Sequence, residues 1–278
     1  MVGYKDRTNF FPSMLYNSKP LLISKLENSG YKFFYSGNMW SKCKENSYIS
    51  CVDDSKNFEL KSLKDKLNVY INNSGIQTFY KKSIVGYILR KIFPYDFQDG
   101  IDNFLEYGLG NVKKSSKSFY FIHNFSPHPP YFDKNCAIDY TGDWKSKNLT
   151  KYSVSVICSM KKVTNFLKEI LIHDPNAIFV IQGDHGPGLY YDFAGNPQTM
   201  DKNVLRSRFS IFNALRIPVD CKKNLPNSIG NVETINIVFN CISGDDALNI
   251  SLQSKSYAGF YESHKNFGEF EEVTERLK

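Results

Sequence analysis

The decapeptide FVIQGDHGPG, Phe179 to Gly188, sets an acid and an imidazole at the end of an apolar, partly β-branched run. Ala177 to Ile181 reads as a short strand covered on both faces, the kind that parallel α/β sheets bury. Sites in such sheets form at the carboxyl ends of the strands. Gly183, Gly186 and Gly188 admit backbone conformations closed to other residues and let the chain approach a ligand closely. Asp184 offers a hard anionic oxygen and His185 a neutral imidazole nitrogen, a pair that suits zinc or manganese better than calcium. The same dipeptide also fits an ordinary turn, with Asp184 on backbone amides and His185 in water.

Earlier in the chain, Ser118 to Phe132 reads SFYFIHNFSPHPPYF. Phe119 to Phe125 is strand-like and runs into Ser126, Pro127, His128, Pro129 and Pro130, which can continue neither a central strand nor a helix. A stiff loop therefore presents His128 at a strand end. Between the two strands, Val156, Ile157, Met160, Val163, Phe166, Leu167, Ile170 and Leu171 recur at helical spacing within Tyr152 to Ile172, and Asp174 and Pro175 end that helix. Strand, loop, helix and strand predict a βαβ unit whose right-handed crossover brings His128 and the Asp184–His185 pair to one sheet edge.

The remainder supports one alternating α/β domain over residues 1–267, with a mainly parallel central sheet flanked by helices. Gly30 closes a first helix and Tyr31 to Tyr35 follows as a strand. Asn57 to Tyr107 reads as helical cover for one sheet face. Leu189 to Asn203 reads either as a loop over the site or as a surface connection. Residues 268–278, acidic then basic, read as a tail or frayed helix. The 41% hydrophobic content of 278 residues is enough for a substantial core.

The charge of +7 is spread over scattered lysines, not a stripe, and no zinc finger or basic helix is present, which argues against nucleic acid. The weak positive field favours anionic lipids, phosphorylated glycans or sulfated sugars. No strand is followed by GxGxxG or a Walker loop, so nucleotide binding lacks support. No stretch reaches the length of a membrane span, and no secretion signal is recognisable. The six cysteines form no CxxC pair, which speaks against structural zinc. Cys43 and Cys51 bracket a short polar loop and could pair in an exported protein, whereas Cys158, inside the apolar helix, reads as a core thiol.

The phrases FYFIHNFSPHPPYF, VIQGDHGPG and RFSIFNALRIP, in this order and spacing, resemble the sulfatase-like hydrolase and transferase family of the alkaline phosphatase superfamily, especially its bacterial cell-envelope branch. The resemblance extends from about Lys19 to Phe267 and takes in Ser18 to Asn38, the Cys43 to Cys51 loop and Asn227 to Ile242. It implies that Asp184 and His185 bind the catalytic divalent metal, manganese or zinc first, with calcium or magnesium also open. It implies that His128 faces the substrate, holding the anionic ester or protonating its leaving group. Arg208, opening RFSIF, is a candidate for binding the anion, with a surface salt bridge as the alternative. His123 reads as a core or supporting residue. The implied chemistry is metal-assisted cleavage or transfer of a phosphate or sulfate ester on a glycan or lipid at the extracytoplasmic face of the envelope.

The sequence also departs from that family. Its members begin with a strand ending in an acidic metal ligand, then a loop carrying the nucleophile, yet MVGYKDRTNFFPSMLYN holds no such strand. Thr8 and Ser13 are the aliphatic hydroxyls there. The expectation is therefore a chain lacking the N-terminal strand and nucleophile loop, with weak metal binding and little esterase activity. The alternatives are a catalytically inactive binding or scaffold protein, or a fragment of a split enzyme. A preceding membrane tether, or a partner polypeptide supplying the strand, would complete it.

Overall fold

The computed structural model describes residues 19–37, 43, 45–52, 100–112, 117–129, 131–139, 148–188, 190, 196–222, 225, 229–243, 257–259 and 270–277. Thr8, Ser13 and residues 57–99 of the expected helical cover lie outside them. Of the described residues, those before Pro127 form one compact unit and those from Pro127 onward another.

In the first unit, helix α1 (Leu21–Asn28) buries Ile23 and Leu26 completely. It ends as the sequence predicts, with Gly30 at φ 81°. The Tyr31 amide donates to the Leu26 carbonyl at 2.9 Å and the Gly30 amide to Glu27 at 2.8 Å, the paired bonds of a Schellman turn. The turn delivers the chain into β1 (Lys32–Ser36), the middle strand of a parallel sheet with β2 (Ser50–Cys51) on one side and β3 (Ser118–Ile122) on the other. The β1–β3 register aligns three aromatic pairs. Phe33–Phe119, Phe34–Tyr120 and Tyr35–Phe121 stack with centroids 5.7, 4.9 and 5.7 Å apart. Such pairs contribute about 0.5–1.5 kcal/mol each beyond their buried area.

A helical run then packs on this sheet: α2 (Gly100–Asn103), a π-helical stretch over Phe104–Gly108, and α3 (Leu109–Val112). Its entry needs Gly100, since a Cβ there would lie 2.5 Å from the His123 carbonyl oxygen. The Ser36 hydroxyl donates to the Gly100 carbonyl at 2.8 Å, and the Asn103 side chain to Gly37 at 3.1 Å. His123, expected inside the strand, sits one residue beyond β3 and is half-buried, its amide donating to the Ser36 carbonyl at 2.9 Å.

The second unit contains α4 (Leu149–His173), β4 (Phe179–Gln182), α5 (Lys202–Phe209), β5 (Asn213–Arg216), a 3₁₀ turn (Val219–Lys222), α6 (Asn231–Ser243), the hairpin pair β6 (Tyr257–Gly259) and β7 (Phe270–Glu272), and α7 (Thr274–Leu277). Here the sequence reading needs correction. Among the described residues the two strands of the expected βαβ unit have other partners: β3 bonds to β1, while β4 pairs antiparallel with β5, from Phe179↔Arg216 to Gln182↔Asn213. The antiparallel register is pinned at one end by Arg216, whose guanidinium donates to the carbonyls of Ala177 and Pro175.

The long helix is present, capped by Asn148, but its buried face is rotated from the apolar stripe. Ser155, Cys158, Ser159, Phe166 and Ile170 are buried, while Ile157 is 55% exposed. The cause is the segment following His128. Its Phe132 amide donates to Ser155 Oγ at 2.7 Å, Lys151 pairs with Asp139 at 2.7 Å, and Cys136 is joined to Cys158. Small side chains on that face admit the incoming backbone. Cys158 is thus a disulfide partner and not the core thiol expected. Cys43–Cys51, the one pairing anticipated, is present, and Cys221–Cys241 is the third bridge.

Of the residues expected as a tail or frayed helix, 270–277 are described, and Thr274–Leu277 is helical. Val273 is fully buried, and Arg276 donates to the carbonyls of Pro197 and Met200.

Candidate active site

The turn after β4 is built from both sides. At the strand end, Gln182 Nε2 donates to Asn213 Oδ1 at 3.3 Å, and Asn213 Nδ2 donates to Thr234 Oγ1 of α6 at 2.7 Å and to the Ile229 carbonyl at 3.1 Å. The Gly183 amide continues the pairing to the Phe212 carbonyl at 2.9 Å. Sequence reasoning passed over this Gln182–Asn213–Thr234 chain, although an amide closing a short apolar strand signals a need for such partners.

Beyond Gly183 the chain turns outward. The Asp184 side chain is 84% exposed and that of His185 43%. Asp184 Oδ1 accepts the His185 amide at 2.9 Å, and Oδ2 lies 3.4 Å from His185 Nε2. The other ring nitrogen, Nδ1, lies 2.9 Å from the Gly186 carbonyl and 2.7 Å from Nη1 of Arg208. Arg208, in the last turn of α5, also reaches the Gly186 carbonyl at 3.2 Å.

Gly186 is required by this packing. A Cβ there would fall on the carbonyl oxygens of Ser207 and Ser210, and its amide donates to the Arg208 carbonyl at 2.7 Å. The sequence assigned the glycines of this turn to ligand approach. Instead Gly186 admits the end of α5, and among the described glycines Gly30 alone has positive φ.

His128 belongs to the same unit, on the loop that enters it. It is exposed, with Nδ1 3.0 Å from the Pro129 carbonyl. The structure therefore brings Asp184, His185 and Arg208 together in direct contact, and places His128 on a separate loop.

A family model for sulfatases matches residues 4–212, three quarters of the chain. The chain belongs to the sulfatase family. The matched region takes in all four candidate residues, and the alkaline phosphatase-like α/β fold of sulfatases accords with the parallel three-stranded sheet and its helices. The general chemistry of the family is hydrolysis of sulfate esters. No curated protein and no solved structure matches the chain.

Sulfatases generally use a divalent metal, and the donors of this one fit such an ion in part. Bonds of about 2.1 Å to nitrogen and oxygen set two donors on a tetrahedral ion about 3.4 Å apart. That matches the Asp184 Oδ2 to His185 Nε2 separation of 3.4 Å. With Nδ1 facing a carbonyl, the ring can keep its proton there and leave Nε2 for a cation. Among the described residues no group of three ligating side chains is found, so this pair accounts for two donors.

Proposed function

We propose that this sulfatase is a metal-dependent hydrolase or transferase acting on phosphate or sulfate esters of cell-envelope glycans or lipids. The observation that carries the reading is the exposed Asp184–His185 pair, with one oxygen and one ring nitrogen at a spacing that a single divalent cation fits. Manganese and zinc suit a mixed carboxylate and imidazole set best. When bound, such a cation neutralises charge developing on the ester oxygens and activates the nucleophile.

The residues of the chain divide the remaining work. Asp184 contributes negative charge, and His185 contributes a neutral nitrogen whose ring is oriented through Nδ1. His128, exposed on its Pro-flanked loop, holds the ester anion or delivers a proton to the leaving oxygen. Three disulfides support an oxidising compartment, and hence the extracytoplasmic face of the envelope. Among the described residues no helix is long and apolar enough to cross a membrane.

Calorimetric titration with Mn²⁺ and Zn²⁺, together with p-nitrophenyl sulfate and phosphate hydrolysis, tests the proposal. Binding is expected in the wild type and its loss in Asp184→Ala, and whatever hydrolysis occurs should depend on metal and vanish in the same variant. Tight binding that survives both Asp184→Ala and His185→Ala would show that the ligands are elsewhere.

A further inference from the structure

Arg208 meets the DHG turn with its backbone and its side chain at once. Its carbonyl accepts the Gly186 amide at 2.7 Å, while Nη1 stands 2.7 Å from His185 Nδ1 and 3.2 Å from the Gly186 carbonyl. A guanidinium carries donors and no acceptor. If the ring proton is on Nε2, Nη1 takes the Nδ1 lone pair. If the proton is on Nδ1, the state that frees Nε2 for a cation, the ring donates to the Gly186 carbonyl, and Nη1 can no longer donate to the ring and bonds that same oxygen. In both ring states, turning the imidazole away from Asp184 breaks a hydrogen bond.

The helix that carries Arg208 is itself fixed. Asp201 caps its start, accepting the amides of Asn203 at 2.8 Å and Val204 at 3.2 Å. Leu205 is fully buried, and Arg206 Nε donates to the Leu277 carbonyl at 3.1 Å. The C-terminal helix α7, held through Arg276, thus braces α5, and α5 braces the turn.

We propose that Arg208 is a positioning residue: it holds the Gly186 backbone, whose carbonyl accepts the His185 Nδ1 proton, and so orients the ring beside Asp184 with Nε2 free and sets the affinity of the pair for a divalent cation. The inference rests on the reading of Asp184 and His185 as metal ligands. It gives Arg208 a role distinct from direct contact with the substrate anion. Outer partners of metal-binding imidazoles typically cost roughly 10–100-fold in affinity when removed.

The test uses the full, oxidised chain with Arg208→Ala and Arg208→Lys. Two quantities are read: Mn²⁺ affinity by calorimetry, and the ring ¹⁵N and ¹H resonances of His185 in the metal-free protein, assigned with His185→Ala. Arg208→Ala is expected to weaken Mn²⁺ binding roughly 10–100-fold and to move the His185 ring signals. Arg208→Lys, with one compact ammonium in place of a planar fork, should fall between. It also keeps the test open if the alanine variant folds poorly. A His185 signal unmoved in Arg208→Ala overturns the positioning role, as does unchanged Mn²⁺ affinity alongside weakened inhibition by free sulfate or phosphate. A wild type that binds no Mn²⁺ overturns the metal reading, and the ring signals still decide whether Arg208 holds the imidazole.

Discussion

Replacing Gly186 with alanine asks whether the DHG turn is shaped by its packing on α5. The added methyl would fall on the carbonyl oxygens of Ser207 and Ser210, which are backbone atoms of the helix end and cannot swing aside as a flexible side chain would. Relief requires the turn and the helix end to part, which breaks the 2.7 Å bond from the Gly186 amide to the Arg208 carbonyl. Losing that bond costs about 1 kcal/mol, and overpacking of this kind adds about 1–3 kcal/mol. The sum, roughly 2–4 kcal/mol, corresponds to a fall in thermal midpoint of roughly 3–8 °C for a protein of this size. Gly110 supplies the control. It lies in α3 with nothing within 4 Å of an added Cβ, so Gly110→Ala should stabilise by about 0.5–1 kcal/mol through helix propensity. Calorimetric scans of the two variants beside the wild type measure the contrast. A Gly186→Ala midpoint within a degree of the wild type would refute the argument that α5 shapes the turn.

Three further outcomes are expected. Replacing Cys136 and Cys158 together by serine should cost about 3 kcal/mol, and Cys43 with Cys51 about 2.5 kcal/mol, since their sequence separations are 22 and 8; denaturant titration of the two double variants gives the order. Burial raises the Tyr152 phenol above the ordinary tyrosine range, and burial together with the charge of Tyr152 raises Tyr131. The folded chain therefore keeps these phenols neutral to higher pH than the unfolded chain does. Their contribution is complete below about pH 10 and is lost as pH rises through the raised values; Tyr152→Phe should flatten the alkaline fall in denaturation midpoint. Arg276→Ala removes the guanidinium bonds to Pro197 and Met200 and should cost about 1–3 kcal/mol by the same measurement.

Local features were the legible ones. Gly30 marked the end of α1 because only a residue tolerant of positive φ closes a Schellman turn cheaply, and the β4 run announced itself by β-branching and flanking glycines. The Asp184–His185 pair was visible for the same reason: its neighbours in sequence are its neighbours in space. Strand partners were not legible. Nothing in Phe179–Gln182 distinguishes a parallel partner from the antiparallel Asn213–Arg216, since that choice depends on residues far along the chain. Periodicity misplaced the buried face of α4 because it registers apolar side chains, while Ser155 and Ser159 are buried by hydrogen bonding and by smallness. Arg208 stood out as a cation in the sequence, but its seat on His185 follows from the approach of α5 to Gly186, which a linear reading does not contain.

The six cysteines of this protein pair off in sequence order: 43 with 51, 136 with 158, 221 with 241. Six cysteines allow 15 pairings, and this is the one in which no loop encloses or interleaves with another. In the oxidising compartment proposed above, a chain entering N-terminus first would seal each bridge before the next pair of cysteines arrives. Connectivity would then follow the order of emergence, and correct oxidation would demand timing more than reshuffling.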